Sequence, residues 1–256
     1  MKFAKKTLAI AAIGLLAAVA QAGTVDEVSY GQLSGMTVSF SELALAGGDT
    51  QLIEGLFSSG GVTFGERFAG QELSVTKAPR PGEIAQDWFD DLSFGAPTAG
   101  LNLLAGATGA NLGAYNYGDD SGVALAGIGP QNTDGSDPFG FGALSAKFTS
   151  PVSALGFQLR DSDLGTITLN LYRTDGSLIS TVDLSGRADG WYAFARGDGT
   201  ADIAGFSLTN RDTYYGIAID NLAIGAVAAV PEPSMALLLG GGLALLSLAR
   251  RRQSNT

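Results

Sequence analysis

Ile167-Thr168-Leu169-Asn170-Leu171, followed by Asp175-Gly176 and then by Leu178 to Leu184, is the stretch whose reading decides the fold. Ile167, Leu169 and Leu171 alternate with Thr168 and Asn170, the period of two that turns one strand face to a core and the other outward. Asp175-Gly176 offers the positive φ angles of a tight hairpin, and Leu178 to Leu184 reads as the return strand. Toward the C-terminus the pattern continues through Trp191 to Arg196, Ile203 to Thr209 and Tyr215 to Ile224, with Asn210-Arg211-Asp212 as a further turn signal. Short strands at such intervals from about residue 145 onward predict an all-β fold, a β-sandwich or jelly roll.

Toward the N-terminus the reading is β-rich but less regular. Met36, Val38 and Phe40 alternate as a strand, Gly61-Val62-Thr63-Phe64 forms a second, and Leu73-Val75 a third. Glu83 to Leu92 predicts a short helix, because Ile84, Trp88 and Leu92 fall at i, i+4 and i+8. Asp90 and Asp91 near its end oppose the helix dipole. Gly95 to Gly142, rich in Gly, Ala and Asn, predicts long loops among short strands.

The two ends carry a different kind of information. Lys2, Lys5 and Lys6 precede an uncharged run from Thr7 to Val19 and the small residues Ala20-Gln21-Ala22 before Gly23, which is the layout of a secretory signal peptide cut after Ala22. The other end has Val230-Pro231-Glu232-Pro233, an apolar run from Ser234 to Ala249, and Arg250-Arg251-Arg252, whose charge holds that end in the cytoplasm. At about 1.5 Å per residue the run spans about 24 Å, short of the roughly 30 Å of a bilayer core. Gly240, Gly241 and Gly242 weaken it further as a helix. A transient transmembrane helix fits better than a permanent one. The expected division is 1–22 signal peptide, 23–229 β-sandwich body and 230–256 sorting signal.

The tail resembles the PEP-CTERM sorting signal, on the strength of Val230-Pro231-Glu232-Pro233-Ser234, the Leu/Gly-rich helix and the closing arginines. That resemblance covers about the last 25 residues. It implies cleavage near Pro231-Glu232-Pro233 by an exosortase, a membrane-embedded cysteine peptidase of Gram-negative bacteria that make exopolysaccharide. The order of Ser153-Ala154-Leu155-Gly156-Phe157, Leu171-Tyr172, Asp175-Gly176 and Gly216-Ile217-Ala218-Ile219-Asp220-Asn221-Leu222 is similar to the body of many PEP-CTERM proteins, which implies a galactose-binding-like jelly roll.

Composition narrows the chemistry. Three of the 15 basic residues lie in each terminal signal and only Glu232 of the 25 acids is lost with them, so the body sets nine basic residues against 24 acids and carries −15. Nucleic acid is excluded as a partner by the sign of that field. The absence of Cys removes disulfides, and the absence of His removes the usual general base and every His-dependent nucleophile arrangement. Carboxylate chemistry, Ser-Lys or Thr nucleophiles and hard-cation sites remain.

The candidate sites are few. Asn132, Asp134 and Asp137 sit in the densest run of oxygen-bearing side chains and could hold Ca²⁺, although Gly135 and the missing distal Glu do not fit an EF-hand, and an Asx-turn loop is the favoured reading of the run. Gly118-Asp119-Asp120-Ser121 and Asp161-Ser162-Asp163 are further acidic pairs that read as solvated turns or metal ligands. Asp220, placed by alternation on the face of Leu222 and Ile224, needs a hydrogen-bond donor or a metal if that face is buried. Trp88, Trp191, Tyr192, Tyr214 and Tyr215 supply aromatic faces, with Tyr214 and Tyr215 the expected exposed pair for a glycan.

These readings predict a non-enzymatic, structural or adhesive protein of the cell envelope or extracellular matrix that binds glycan. The alternative is a carboxylate-dependent glycosidase or lyase acting on exopolysaccharide. Expected partners are signal peptidase, exosortase, exopolysaccharide and, transiently, the inner membrane.

Overall fold

The computed structural model describes residues 23–76, 88–118, 122–129, 139–162, 165–211 and 216–228. In chain order the strands are β1 (Val25–Val28), β2 (Leu33–Val38), β3 (Thr50–Ile53), β4 (Phe57–Ser59), β5 (Val62–Gly65), β6 (Arg67–Phe68) and β7 (Glu72–Thr76). There follow β8 (Trp88–Phe94), β9 (Leu103–Leu104), β10 (Leu112–Asn116), β11 (Val123–Ile128), β12 (Phe139–Gly142) and β13 (Leu144–Val152). The last six are β14 (Ala154–Arg160), β15 (Ile167–Tyr172), β16 (Leu178–Asp183), β17 (Gly190–Arg196), β18 (Ile203–Asn210) and β19 (Ala218–Val227).

The protein is all-β, with two antiparallel sheets packed together in a sandwich-like pair. A nine-stranded sheet has the order β1-β17-β14-β19-β11-β10-β3, with β12 beside β11 and β2 beside β19. Facing it is a six-stranded sheet in the order β16-β15-β18-β13-β5-β4. From β13 onward the chain passes repeatedly from one sheet to the other, so neighbours in a sheet are distant in sequence. Phe157, Phe194, Ile219 and Leu222 of the larger sheet meet Phe64, Phe148, Leu169 and Phe206 of the smaller one in a continuous buried core. The Phe157 and Phe206 rings bridge the two sheets at 6.4 Å.

The β15–β16 hairpin forms as its alternation requires. Ile167, Leu169 and Leu171 are fully buried, and Asp183 and Val182 pair with Thr168 and Leu169. In the turn only Gly176 takes a positive φ, 86°. Asp175 instead accepts hydrogen bonds from the Ser177 backbone and hydroxyl.

Two expectations need correction, and one is met. Residues 88–92 are not helical: they belong to β8, which pairs with β7, while 83–87 lie outside the described residues. Cross-strand pairing to Glu72–Thr76 outweighs a three-residue helical periodicity. The stretch 95–142 carries short strands among loops, as its composition suggests. Both β10 and β11 are interior strands, and β11 is buried along its whole length. Its glycines serve close approach here, because a Cβ at Gly127 would lie 2.3 Å from the Gly142 carbonyl oxygen. The second correction concerns Asp220. Asn221 has φ 49°, and the β14–β19 register shifts beside it, the signature of a bulge. Ile219 and Leu222 therefore both face the core, and Asp220 points to the opposite side.

A third layer covers the outer face of the six-stranded sheet. After β5 the chain leaves the sheet and lays Phe68 and Leu101 against Tyr172 and Ala204. Gly205 makes room for them, since a Cβ there would sit 3.1 Å from Leu101 and 3.2 Å from Phe68. Beneath this layer Gln71 donates to the Tyr172 hydroxyl at 2.9 Å, and Ser145 and Ser207 share a hydrogen bond of 2.8 Å.

Candidate functional site

On the outer face of the nine-stranded sheet, register lines up a polar row across three strands. Trp191 of β17 lies opposite Gln158 of β14, and Gln158 lies opposite Asp220 of β19. Phe157 and Leu159 on either side of Gln158 are core residues, so the row faces away from the core. A segment carrying a 3₁₀ turn at Tyr30–Gln32 crosses this face on its way from β1, which pairs with β17, to β2, which pairs with β19. Leu33 of that segment fills the space above Gly156.

Tyr30 is the keystone of the crossing. Its ring packs on Trp191 with centroids 4.6 Å apart and planes at 53°. Its hydroxyl donates to the Asn221 carbonyl at 2.5 Å. Burial raises the Tyr30 hydroxyl above its usual range, a hydrogen bond with Thr37 lowers it, and the Asp220 charge adds to the rise. Asp220 is 1% exposed, and its two carboxylate oxygens accept from the Asn221 backbone NH at 2.5 Å and side-chain amide at 3.0 Å. That amide also donates to Gln158 at 3.2 Å. The acid is thus satisfied by hydrogen-bond donors of its own bulge. Trp191 remains 51% exposed at the end of the row, an indole face beside amide donors and acceptors.

A second place combines acids with a concavity. Glu66, Arg67, Gln71, Glu72, Leu73 and Asp90 line a pocket of about 350 Å³ beneath the third layer. Asp90 is 6% exposed; burial pushes its carboxyl up to about 7, against the lowering influence of Arg67. Arg67 itself is ion-paired with Glu66.

The other acidic pairs have structural roles where they are described. The Asp161 carboxylate accepts from the Tyr117 hydroxyl, which burial and that hydrogen bond push well above its usual range. Arg160 stacks over the same ring at 4.3 Å. Ser162 NH donates to Asp189 at 2.8 Å, and Gly118 NH donates to Asn116 at 2.8 Å. Asp119, Asp120, Ser121 and Asp163 lie outside the described residues, as do Asn132, Asp134 and Asp137. So do Tyr214 and Tyr215, Ala20 and Ala22, and Val230, Pro231, Glu232, Pro233, Arg250, Arg251 and Arg252. Gly23 is described, and its carbonyl accepts from Arg196. Tyr192, partly packed on the core, donates to the Ala188 carbonyl at 2.7 Å.

Tyr30, Gln158 and Asn221 carried no signal that singled them out in the sequence. The Asp220-Asn221 pair interrupting an apolar strand was the available cue to a bulge. Glu66 had none, and Asp90 was read only as a poor helix end. Among the described residues no group of three or more His, Cys, Asp and Glu is placed to hold a metal ion, and no helix is long and apolar enough to cross a membrane. No family model, no curated protein and no solved structure matches this chain, so its assignment to an all-β architecture of two antiparallel sheets rests on its own geometry.

Proposed function

We propose that this chain is an exported protein of the cell envelope or extracellular polysaccharide matrix, trimmed after Ala22 and near Pro231-Glu232-Pro233, with an adhesive body that holds neutral glycan. The terminal segments support the route: basic residues before one apolar run and after the other. A jelly roll of the galactose-binding-like kind is the finer reading of the body, supported by the antiparallel pairing and by the passage of successive strands between sheets.

The observation that carries the binding role is Trp191, half exposed at the end of a polar row beside the amide side chains of Gln158 and Asn221. Sugar rings pack their C–H faces on an indole while amides take their hydroxyls. The net charge of the body, −15, favours neutral polymers over acidic ones. Two measurements test the proposal. Intact-mass analysis of the product released by its native host is expected to begin at Gly23 and to lack Arg250 to Arg252, and retention of those arginines overturns the processing. Binding to neutral polysaccharide from the producer is expected to fall at least about tenfold in Trp191→Ala, a loss of about 1.4 kcal/mol. Unchanged binding in that variant removes the platform. Release of sugar from the same polysaccharide would favour the glycosidase or lyase instead.

A further inference from the structure

The pocket beside Asp90 has a lining whose hydrogen-bonding capacity is nearly all used internally. The Arg67 guanidinium is ion-paired with Glu66 through one nitrogen and lowers the Asp90 carboxyl electrostatically without a hydrogen bond to it. Gln71 donates to Tyr172 and accepts from the Phe68 NH and the Ser207 hydroxyl. Leu73 offers nothing polar in its side chain. What remains is the carboxylate of Glu72, which is exposed, and that of Asp90, which is more than nine-tenths buried. Neither accepts a side-chain hydrogen bond from the described residues. A buried carboxylate without a donor is costly, and it recovers that cost when a donor arrives.

Among the described residues no group of three or more His, Cys, Asp and Glu is placed to hold a metal ion. The cavity, about 350 Å³, is of the size that holds small organic ligands, roughly 300 to 1,000 Å³. Its lining sets three carboxylates against one guanidinium, inside a body that is itself strongly acidic. We propose that this pocket binds a small organic cation, an amine whose ammonium group donates to Asp90 and is flanked by Glu72.

Ligand and proton then compete for the same oxygens. Among the described residues, the charged groups around Asp90 are Glu66 and Arg67 from the β5–β6 segment and Glu72 from β7; Asp91, next along β8, is engaged by Arg211 at 3.4 Å. The strands β12 and β18, also packed on β8, contain no titratable residue. Burial brings the Asp90 carboxyl to about 7, so it gains or loses a proton near neutrality, and an ammonium ion favours its ionised form.

The test is calorimetric titration of the full chain, kept in mild detergent, with 1,4-diaminobutane and ethanolamine, using glucose and calcium chloride as comparisons. The amines are expected to bind at pH 8, to weaken about tenfold or more by pH 5, and to displace protons from the protein near pH 7. Asp90→Asn is expected to lose at least tenfold in amine affinity. Glu72→Gln, at an exposed position that leaves the fold intact, is expected to lose about two- to fivefold by removing a flanking charge. Amine binding that is indifferent to pH and to both variants overturns the proposal, as does the absence of binding at millimolar amine. Preference for calcium or for glucose over the amines overturns it as well, and Asp90-dependent release of sugar from a polysaccharide would make the pocket hydrolytic instead.

Discussion

Burial holds the Asp90 carboxyl near 7, in a pH range that surface acids leave alone. The folded protein binds this proton more tightly than the unfolded chain, whose Asp has a value of 3.8. Stability from this group is therefore complete below about pH 3.8, declines as pH rises, and is gone above about 7. The rise from 3.8 to about 7 sets a ceiling of about 4 kcal/mol. Asp90→Asn is expected to flatten that part of the pH–stability curve and to melt higher than the parent at pH 8, as denaturant titrations at several pH values will show. Asn221 is the other residue whose conformation matters by itself. Asn221→Ala is expected to lose about 1 to 3 kcal/mol, because its positive φ and its amide bonds to Asp220 and Gln158 go together. Asn221→Gly keeps the backbone and should recover part of that loss in the same unfolding assay. At this scale the sequence was least legible: Asp220 was visible as an acid needing donors, but its direction depends on a bulge that simple alternation does not encode.

Among elements, the β15–β16 hairpin was readable in full, since alternation and turn chemistry are local properties. Gly176→Ala should cost more than about 1 kcal/mol in thermal unfolding. It adds a Cβ at φ 86° and brings that atom 2.1 Å from the Pro97 carbonyl oxygen. By contrast β8 was misjudged, because cross-strand pairing with β7 sets its state and the spacing of its apolar residues does not. Ala124 and Ala126 look like loop composition until Ala218 and the ring of Phe139 are packed against them. A similar long-range tie joins the ends of three strands. Asp202 contacts Arg173 at 2.9 Å and Arg196 at 2.9 Å, and the Arg196 side chain is only 4% exposed. Asp202→Ala is expected to destabilise by about 3 kcal/mol or more in denaturant unfolding, because it leaves a buried guanidinium without its carboxylate.

For the whole molecule, the legible property was the class, all-β with two faces to cover, and the illegible one was the strand order. The core runs without interruption through both sheets, so removing one large ring from its middle is expected to weaken everything at once. Phe206→Ala should cost about 3 to 5 kcal/mol and lower the melting temperature as a single transition. The placement of β19 has a further consequence. This final strand lies between β14 on one edge and β11 and β2 on the other, so the larger sheet stays open until almost the last described residue has arrived. A nascent chain that must wait for its end cannot lock prematurely, and remains threadable through a narrow channel while any of β19 is still inside it.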